Sequence, residues 1–130
     1  MASEQDQLCI TLKSEADFRN FQYRAVKMTN EGYGTMALAT ADVLLGILQN
    51  KPAAYGRSMK VCIAGHTKAV AGDATVGAGE YVGLFPGGPG CLAQAPYGLT
   101  KILGVALTTA SGTGALFEMA IEKWVYYDDT

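Results

Sequence analysis

The sequence has little charge, one histidine, one tryptophan and four prolines among its 130 residues. Charged residues make up 17% of the chain, against a usual share of about 25%. The formal net charge is −2, and Lys and Arg do not cluster. Direct binding to nucleic acid is therefore not expected, because it needs a basic patch or stripe. The apolar runs are also far shorter than the ~18 residues of a membrane span, so no membrane partner is expected.

Cysteine is scarce and irregularly placed. Cys9, Cys62 and Cys91 are odd in number, widely spaced and without a Cys-x-x-Cys motif. This pattern argues against a disulfide framework or a zinc site, and it favours buried free thiols in a protein made in a reducing compartment. Residues 1–12 have neither a basic nor an apolar targeting region, so no signal peptide is expected.

Motifs for catalysis and cofactor binding are missing as well. The only histidine is His66, and the Gly65-His66 pair predicts a hairpin turn in which the imidazole is solvated. The Gly-x-Ser-x-Gly elbow and the complete phosphate-binding loop are both absent. The carboxylates are scattered, and Asp73 and Glu80 lie beside glycine turns, where solvated carboxylates are ordinary. We therefore predict no catalytic, cofactor-binding or metal-binding residues, and a protein that is not an enzyme.

Glycine, in contrast, is abundant, with 16 residues in 130 against a usual share of about 7%. The chain also repeats itself at an offset of 58 residues. Leu45-Gly46-Ile47-Leu48 recurs as Leu103-Gly104-Val105-Ala106, and each copy has a further glycine ten residues after its first. Self-similarity at a fixed offset indicates one supersecondary unit used twice. The repeat units are predicted at about residues 43–64 and 101–122.

Short apolar segments separated by glycine turns predict a mainly β protein, a compact sandwich or barrel-like domain with an internal pseudo-repeat. This β-domain is predicted over residues 23–130, after an N-terminal arm over residues 1–22. Ser14-Glu15-Ala16-Asp17 resembles a capping box, so the arm is predicted to hold a short helix through Phe21. Strands are predicted at Tyr23–Met28, Thr35–Ala39, Gly46–Gln49, Ser58–Ala64, Thr67–Val70, Glu80–Leu84, Cys91–Ala93, Ile102–Thr108, Leu116–Ile121 and Trp124–Tyr127.

Charge is distributed unevenly along the chain. Residues 81–117 contain a single charged side chain, that of Lys101. A small domain ordinarily displays more charge on its surface. The segment is therefore predicted to be core or to be covered by another subunit, and the limited core volume of a small protein favours some cover by a partner.

Several motifs in succession resemble a known family. They include Tyr23-Arg24-Ala25-Val26-Lys27, the run from Gly46 to Ala53 (Gly-Ile-Leu-Gln-Asn-Lys-Pro-Ala), and Gly65-x-Thr67-Lys68. Gly104-Val105-Ala106-Leu107 continues the series. Over residues 23–121 this succession resembles the small capsid decoration proteins, also called cement or head-stabilising proteins, of tailed double-stranded DNA bacteriophages.

The resemblance implies a mostly β protein that binds the major capsid protein on the outside of the virion and stabilises the shell against the pressure of packaged DNA. It also implies a homo-oligomer, with a trimer favoured, that is made in the cytoplasm of a bacterial host and needs no cofactor. Two alternatives stay open. One is another phage assembly component, such as a head-fibre base or a tail subunit; the other is a small ligand-binding module or enzyme.

Contact with the capsid or with a sister subunit is predicted at a loop and at two aromatic segments. The loop is favoured because the first repeat carries Asn50-Lys51-Pro52 where the second carries plain Thr108–Thr113. Aromatic residues are enriched at interfaces, although an ordinary final strand would also explain the C-terminal ones. Removing residues 1–22 is predicted to leave a folded domain with weaker capsid binding. The predicted contact residues are Phe18, Phe21, Lys51, Pro52, Trp124, Tyr126 and Tyr127.

Overall fold

Nine β-strands form in the described part of the chain, which covers residues 7–39, 42–95 and 100–126 of this computed structural model. They make one mixed sheet in the order β1-β3-β2-β4-β5-β9-β8-β6-β7. The predicted mainly β class is confirmed. The strands are β1 (Gln7–Ser14), β2 (Ala25–Asn30), β3 (Tyr33–Met36), β4 (Gly46–Leu48), β5 (Ser58–Val70), β6 (Tyr81–Leu84), β7 (Leu92–Gln94), β8 (Thr100–Ala106) and β9 (Leu116–Tyr126).

The helix predicted from Ser14 through Phe21 is wrong. This stretch contains the last residue of β1, followed by bends and turns. The Ser14 hydroxyl donates a hydrogen bond to the carbonyl of Ala54 at 2.6 Å, so it does not cap a helix. The Asp17 carboxylate instead accepts hydrogen bonds from the backbone and the guanidinium of Arg19, which fixes a local turn. Among the described residues, no helix is long and apolar enough to cross a membrane.

Residues 7–14 of the predicted arm form a strand inside the sheet. Strand β1 pairs antiparallel with β5, from Gln7 opposite Gly65 to Lys13 opposite Ser58. Its far end also pairs in parallel with β3. Leu12 is buried along this ladder. The described residues before position 23 therefore pack on the same sheet as the residues that follow.

The hydrogen-bonded pairs repeat along the chain. Strands β1, β3, β2, β4 and the first half of β5 pair in a closed cycle. The second half of β5 starts a similar cycle with β9, β8, β6 and β7, which an isolated bridge between Ala71 and Leu92 completes. We call these the first and the second cycle. Strand β5 belongs to both.

The two cycles correspond in register. Ile47 lies opposite Cys62 in the first cycle, and Val105 lies opposite Ala120 in the second, each pair offset by 58 residues. The loops that follow also match, since Gly56 and Gly114 have φ values of 82° and 81°. The repeated sequence pattern thus coincides with repeated backbone geometry.

The hairpin predicted around Gly65-His66 is wrong, because β5 runs without reversal from Ser58 to Val70. The first half of β5, up to Gly65, pairs with β1, and the second half, from Gly65 onward, pairs with β9. Gly65 has a φ of 99°, a conformation that only glycine adopts without strain. The glycine marks the change of partner strand and not a turn.

In the described part of the chain, two apolar clusters form the core. The smaller cluster lies in the first cycle and includes Leu12, Phe18 and Met59. The larger cluster joins both cycles and includes Leu103 and Phe117. Many members of the larger cluster come from residues 81–117, so the charge-poor segment contributes heavily to the core: Val82, Leu84, Leu92, Leu103, Ala106, Ala110 and Phe117.

Candidate functional site: the loop after strand β4

The loop between β4 and β5 lies against the turns that follow β1. The Phe18 N–H donates to the carbonyl of Pro52 at 2.8 Å. Nearby, the Gln22 side chain donates to the carbonyl of Gln49, also at 2.8 Å. Because Lys51 lies between these two anchor points, the structure brings together four of the seven predicted contact residues: Phe18, Phe21, Lys51 and Pro52.

The loop is also braced from inside. The Asn50 amide donates to the carbonyl of Ser58 and accepts from the N–H of Lys60, both at 2.9 Å. Further along, the N–H of Gly56 donates to the carbonyl of Ser14 at 2.7 Å. The loop backbone is therefore fixed near its start, at Pro52 and near its end.

The four converging residues differ in exposure. Phe18 is 6% exposed and belongs to the smaller core cluster, and Pro52 is also buried. The Phe21 ring is half-buried, lies 5.8 Å from the Phe18 ring and has the Arg24 guanidinium 4.9 Å from its centre. Lys51 is exposed. Phe18 and Pro52 are thus buried supports of the loop, whereas the Lys51 side chain is exposed to solvent.

An aromatic pair that sequence reasoning missed joins the same loop to strand β3, with Tyr55 in the loop and Tyr33 on the strand. The rings of Tyr33 and Tyr55 are 5.5 Å apart and tilted by 30°, and the Lys13 ammonium is 6.0 Å from the Tyr33 ring. A hydrogen bond with Tyr33 is the main cause of a raised pKa at Tyr55. The sequence signal that could have revealed this pair is that each tyrosine lies next to a glycine of a turn. We call the exposed Lys51 and Tyr55 of this loop, together with Tyr33 and Lys13 on the strands beside Tyr55, the loop face.

The predicted C-terminal contact residues lie in or after β9. Trp124 pairs with Ile102 and Tyr126 with Thr100 in the ladder between β8 and β9. The side chains of Trp124 and Tyr126, and the whole of Tyr127, lie outside the described residues. Their role in contacts stays a prediction.

The residues considered for catalysis are engaged in local structure. His66 lies within β5, and its Nε2 is 2.7 Å from a carboxylate oxygen of Glu118 on β9. Asp73 accepts hydrogen bonds from the backbone and the hydroxyl of Thr75 at 3.0 and 2.6 Å. Within the described ranges, no group of three or more His, Cys, Asp or Glu could hold a metal ion.

A surface cavity of about 460 Å³ is lined by Lys27, Met28, Asp42, Val43 and Leu45. Its carboxylate, Asp42, accepts hydrogen bonds from the N–H groups of Leu38 and Ala39, both at 2.9 Å. These bonds are the main cause that lowers the pKa of Asp42 to about 2, and the Lys27 ammonium at 3.1 Å adds to them. The carboxylate therefore stabilises the chain after β3.

Replacing Asp42 with alanine is expected to destabilise the protein by about 1–2 kcal/mol at neutral pH, because two backbone donors lose a charged acceptor. The folded-state pKa is lowered from 3.8 to about 2. The contribution of Asp42 is therefore present above the unfolded pKa and is lost as the pH falls through the folded pKa. Urea unfolding of the Asp42→Ala variant at neutral and acidic pH measures this.

The matched control is Asp17→Ala, which removes an exposed carboxylate paired with Arg19. The Asp17 carboxylate accepts one exposed backbone N–H and pairs with Arg19. Exposed interactions of this kind contribute little, so this variant should lose clearly less stability than Asp42→Ala. An equal loss for Asp42→Ala at pH 7 and pH 2 would show that its carboxylate charge is not what stabilises the turn.

No protein-family model matches the chain, and a comparison with curated proteins gives no match. The resemblance to phage capsid decoration proteins therefore rests on the order and spacing of the sequence motifs. What the geometry adds is a braced loop with an exposed lysine and an adjoining tyrosine pair.

Proposed function

We propose that this protein is a structural component of the virion of a tailed double-stranded DNA bacteriophage. It binds the major capsid protein on the outer surface and stabilises the shell against the pressure of packaged DNA. The motif succession over residues 23–121 suggests this role, and the fixed loop that presents Lys51 is the observation that carries it. We further infer that the two cycles are barrel-like units and that the protein acts as a homo-oligomer, with a trimer favoured.

The loop face suits a docking role. Its backbone is held by Asn50 and by the contact between Phe18 and Pro52. A preorganised loop loses little conformational entropy on binding, so more of the contact energy contributes to affinity. Tyrosines are enriched at protein interfaces, and Tyr55 is 66% exposed. Lys13 and Lys51 would meet carboxylates on the shell.

Because many identical copies bind one capsid, each single contact can have a modest binding free energy. Binding at several sites of one particle raises the overall avidity without new contacts. A clamp of this kind needs neither an active site nor a cofactor. It needs a rigid frame, which the ladders of the two cycles supply, and an exposed surface.

The proposal is tested by mixing the purified protein with expanded, undecorated capsids. We expect stoichiometric binding and a higher temperature of capsid disruption, and absence of binding would overturn the proposal. Electron microscopy of virions separates the alternatives, since density on a head fibre or on the tail would identify a different assembly component. Light scattering of the free protein measures its oligomeric state.

Reversing the charge of Lys51 should weaken capsid binding. For Lys51→Glu we expect a dissociation constant about tenfold higher, because a complementary charge at the interface is replaced by a repulsive one. The fold should be unchanged, since the Lys51 side chain is exposed. Titration of labelled protein onto capsids measures the affinity.

Lys68→Glu provides the control with the same change in charge. Lys68 is exposed in the second half of β5, where it lies opposite Glu118 of β9 and its ammonium is 5.9 Å from the Tyr23 ring, which is not part of the loop face. Its substitution should leave capsid affinity near the wild-type value. Equal weakening by both variants would mean that net charge, and not the loop face, governs binding.

A further inference from the structure

Two cysteines lie directly opposite each other on neighbouring strands. Cys9 of β1 is paired with Cys62 of β5, next to a bulge between Leu8 and Cys9. Cys62 is fully buried in the larger core cluster, and Cys9 is partly exposed and packs against that cluster. Both thiols are free, as the sequence predicted. Along the chain, 52 residues lie between the two cysteines.

The backbone hydrogen bonds identify the type of pair. The carbonyl of Lys60 accepts from the N–H of Gln49 at 2.7 Å, so the polar groups of Lys60 point away from β1. Groups two residues apart on a strand point to the same edge, and those of Cys62 therefore also point away from β1. Cys9 and Cys62 form a non-hydrogen-bonded antiparallel pair.

This geometry suits a covalent bond between the side chains. In such pairs the Cα atoms are about 4.5 Å apart and the side chains lie close on one face. A disulfide needs a Cα separation of about 4.4–6.8 Å. The third cysteine, Cys91, lies in a different part of the chain, beside Gly88.

The surroundings of the two thiols differ. The Cys62 thiol donates to the carbonyl of Ala64 at 3.1 Å, and the Cys9 thiol donates to the side chain of Gln7 at 3.7 Å. Burial is the main cause that raises the pKa of Cys62 to about 11, and the nearby Cys9 thiol raises it further. The partly exposed Cys9 is thus the thiol that an oxidant in solution reaches first.

We propose that Cys9 and Cys62 form a redox-controlled disulfide that joins β1 to β5. With glutathione disulfide as oxidant, the Cys9 thiolate attacks one of its sulfurs and releases one glutathione thiol. Cys62 then loses its proton and displaces the second glutathione from the Cys9 sulfur. The two protein thiols give up two electrons and two protons, which leave as the thiols of two reduced glutathiones.

The bond would fasten the N-terminal strand to the middle of the sheet. It would close a loop from residue 9 to residue 62, and a loop of this length strongly restricts the unfolded chain. The pair would stay reduced in a cytoplasm kept reducing by glutathione and close when the protein meets an oxidising medium. This inference does not depend on the proposed function.

The test incubates the folded wild-type protein with glutathione disulfide, followed by alkylation in denaturant, which exposes the buried Cys91, and by mass spectrometry. We expect a protein about 2 Da lighter before alkylation, a linked peptide pair containing Cys9 and Cys62, and alkylation of Cys91 only. The melting temperature should rise by about 5–10 °C and return when dithiothreitol is added. Stable glutathione adducts, unreacted thiols or bonds through Cys91 would each overturn the proposal.

Single substitutions give the matched controls. Cys9→Ser and Cys62→Ala should each abolish both the mass change and the rise in melting temperature. Cys91→Ser should retain both. If Cys62→Ala fails to fold, Cys9→Ser still decides the matter, because Cys9 is partly exposed and its loss should be tolerated.

Discussion

Removing residues 1–14 is expected to leave a chain that does not fold cooperatively, and this replaces the expectation from the sequence that the domain folds without residues 1–22. The deletion takes away β1, which is hydrogen-bonded to β5 on one side and to β3 on the other. It also removes Leu12 from the smaller core cluster and the buried Ser14 hydroxyl that bonds to Ala54. Domains of this size are stable by only about 5–15 kcal/mol. Circular dichroism during thermal unfolding should show a broad transition or none.

Point variants within β1 test whether its buried side chains, and not only its backbone pairing, stabilise the fold. Leu12→Ala should destabilise the protein by about 2–4 kcal/mol, as expected for a buried leucine. The matched change Leu8→Ala should be within about 0.5 kcal/mol of wild type, because Leu8 is 59% exposed. A truncated protein that melts sharply near the full-length temperature would mean that β1 is a dispensable arm.

The missed strand shows what local sequence signals leave out. Residues 10, 12 and 14 point inward and residues 11 and 13 are exposed, which is the alternation of a strand. Residues 7–13 were instead interpreted as part of a polar arm, and the capping-box pattern predicted a helix only from Ser14 onward. In the structure the Ser14 hydroxyl donates to the carbonyl of Ala54 and caps no helix. A contact across 40 residues cannot be inferred from a single sequence.

Strands marked by glycine were easier to predict. Strand β4 was predicted from the match between Gly46 and Gly104, although its alanine- and leucine-rich surroundings favour helix. The same reliance on glycine as a turn signal led to the wrong hairpin at Gly65. There the glycine sits where β5 passes from one partner strand to another. Glycine marks an unusual backbone position, and only the tertiary pairing decides which kind.

The candidate site was predictable in part for the same reason. Comparison of the two repeats singled out Lys51 and Pro52, because that loop differs between the copies. The hydrogen bond between the Phe18 N–H and the Pro52 carbonyl was not predictable, since it depends on the position that the chain takes in space after β1. The Tyr33–Tyr55 pair and the Cys9–Cys62 pair likewise join segments far apart in sequence.

Replacing Gly46 or Gly104 with alanine is expected to cost about 3 kcal/mol or more in either case. A Cβ at Gly46 would overlap the backbone carbonyl of Cys62, and a Cβ at Gly104 would overlap that of Ala120. A backbone group cannot rotate away as a side chain can, so the paired strands must separate. Urea unfolding of Gly46→Ala and Gly104→Ala measures the two losses.

The control is Gly112→Ala, because no atom lies within 4 Å of a Cβ placed there and its φ is not in the left-handed region. This variant should be unchanged or slightly more stable, since alanine restricts the unfolded chain. If the two cycles are equivalent, Gly46 and Gly104 should give losses of similar size. A large loss of stability at one position and none at the other would contradict this equivalence. It would mean that one cycle tolerates separation of its central strands and the other does not.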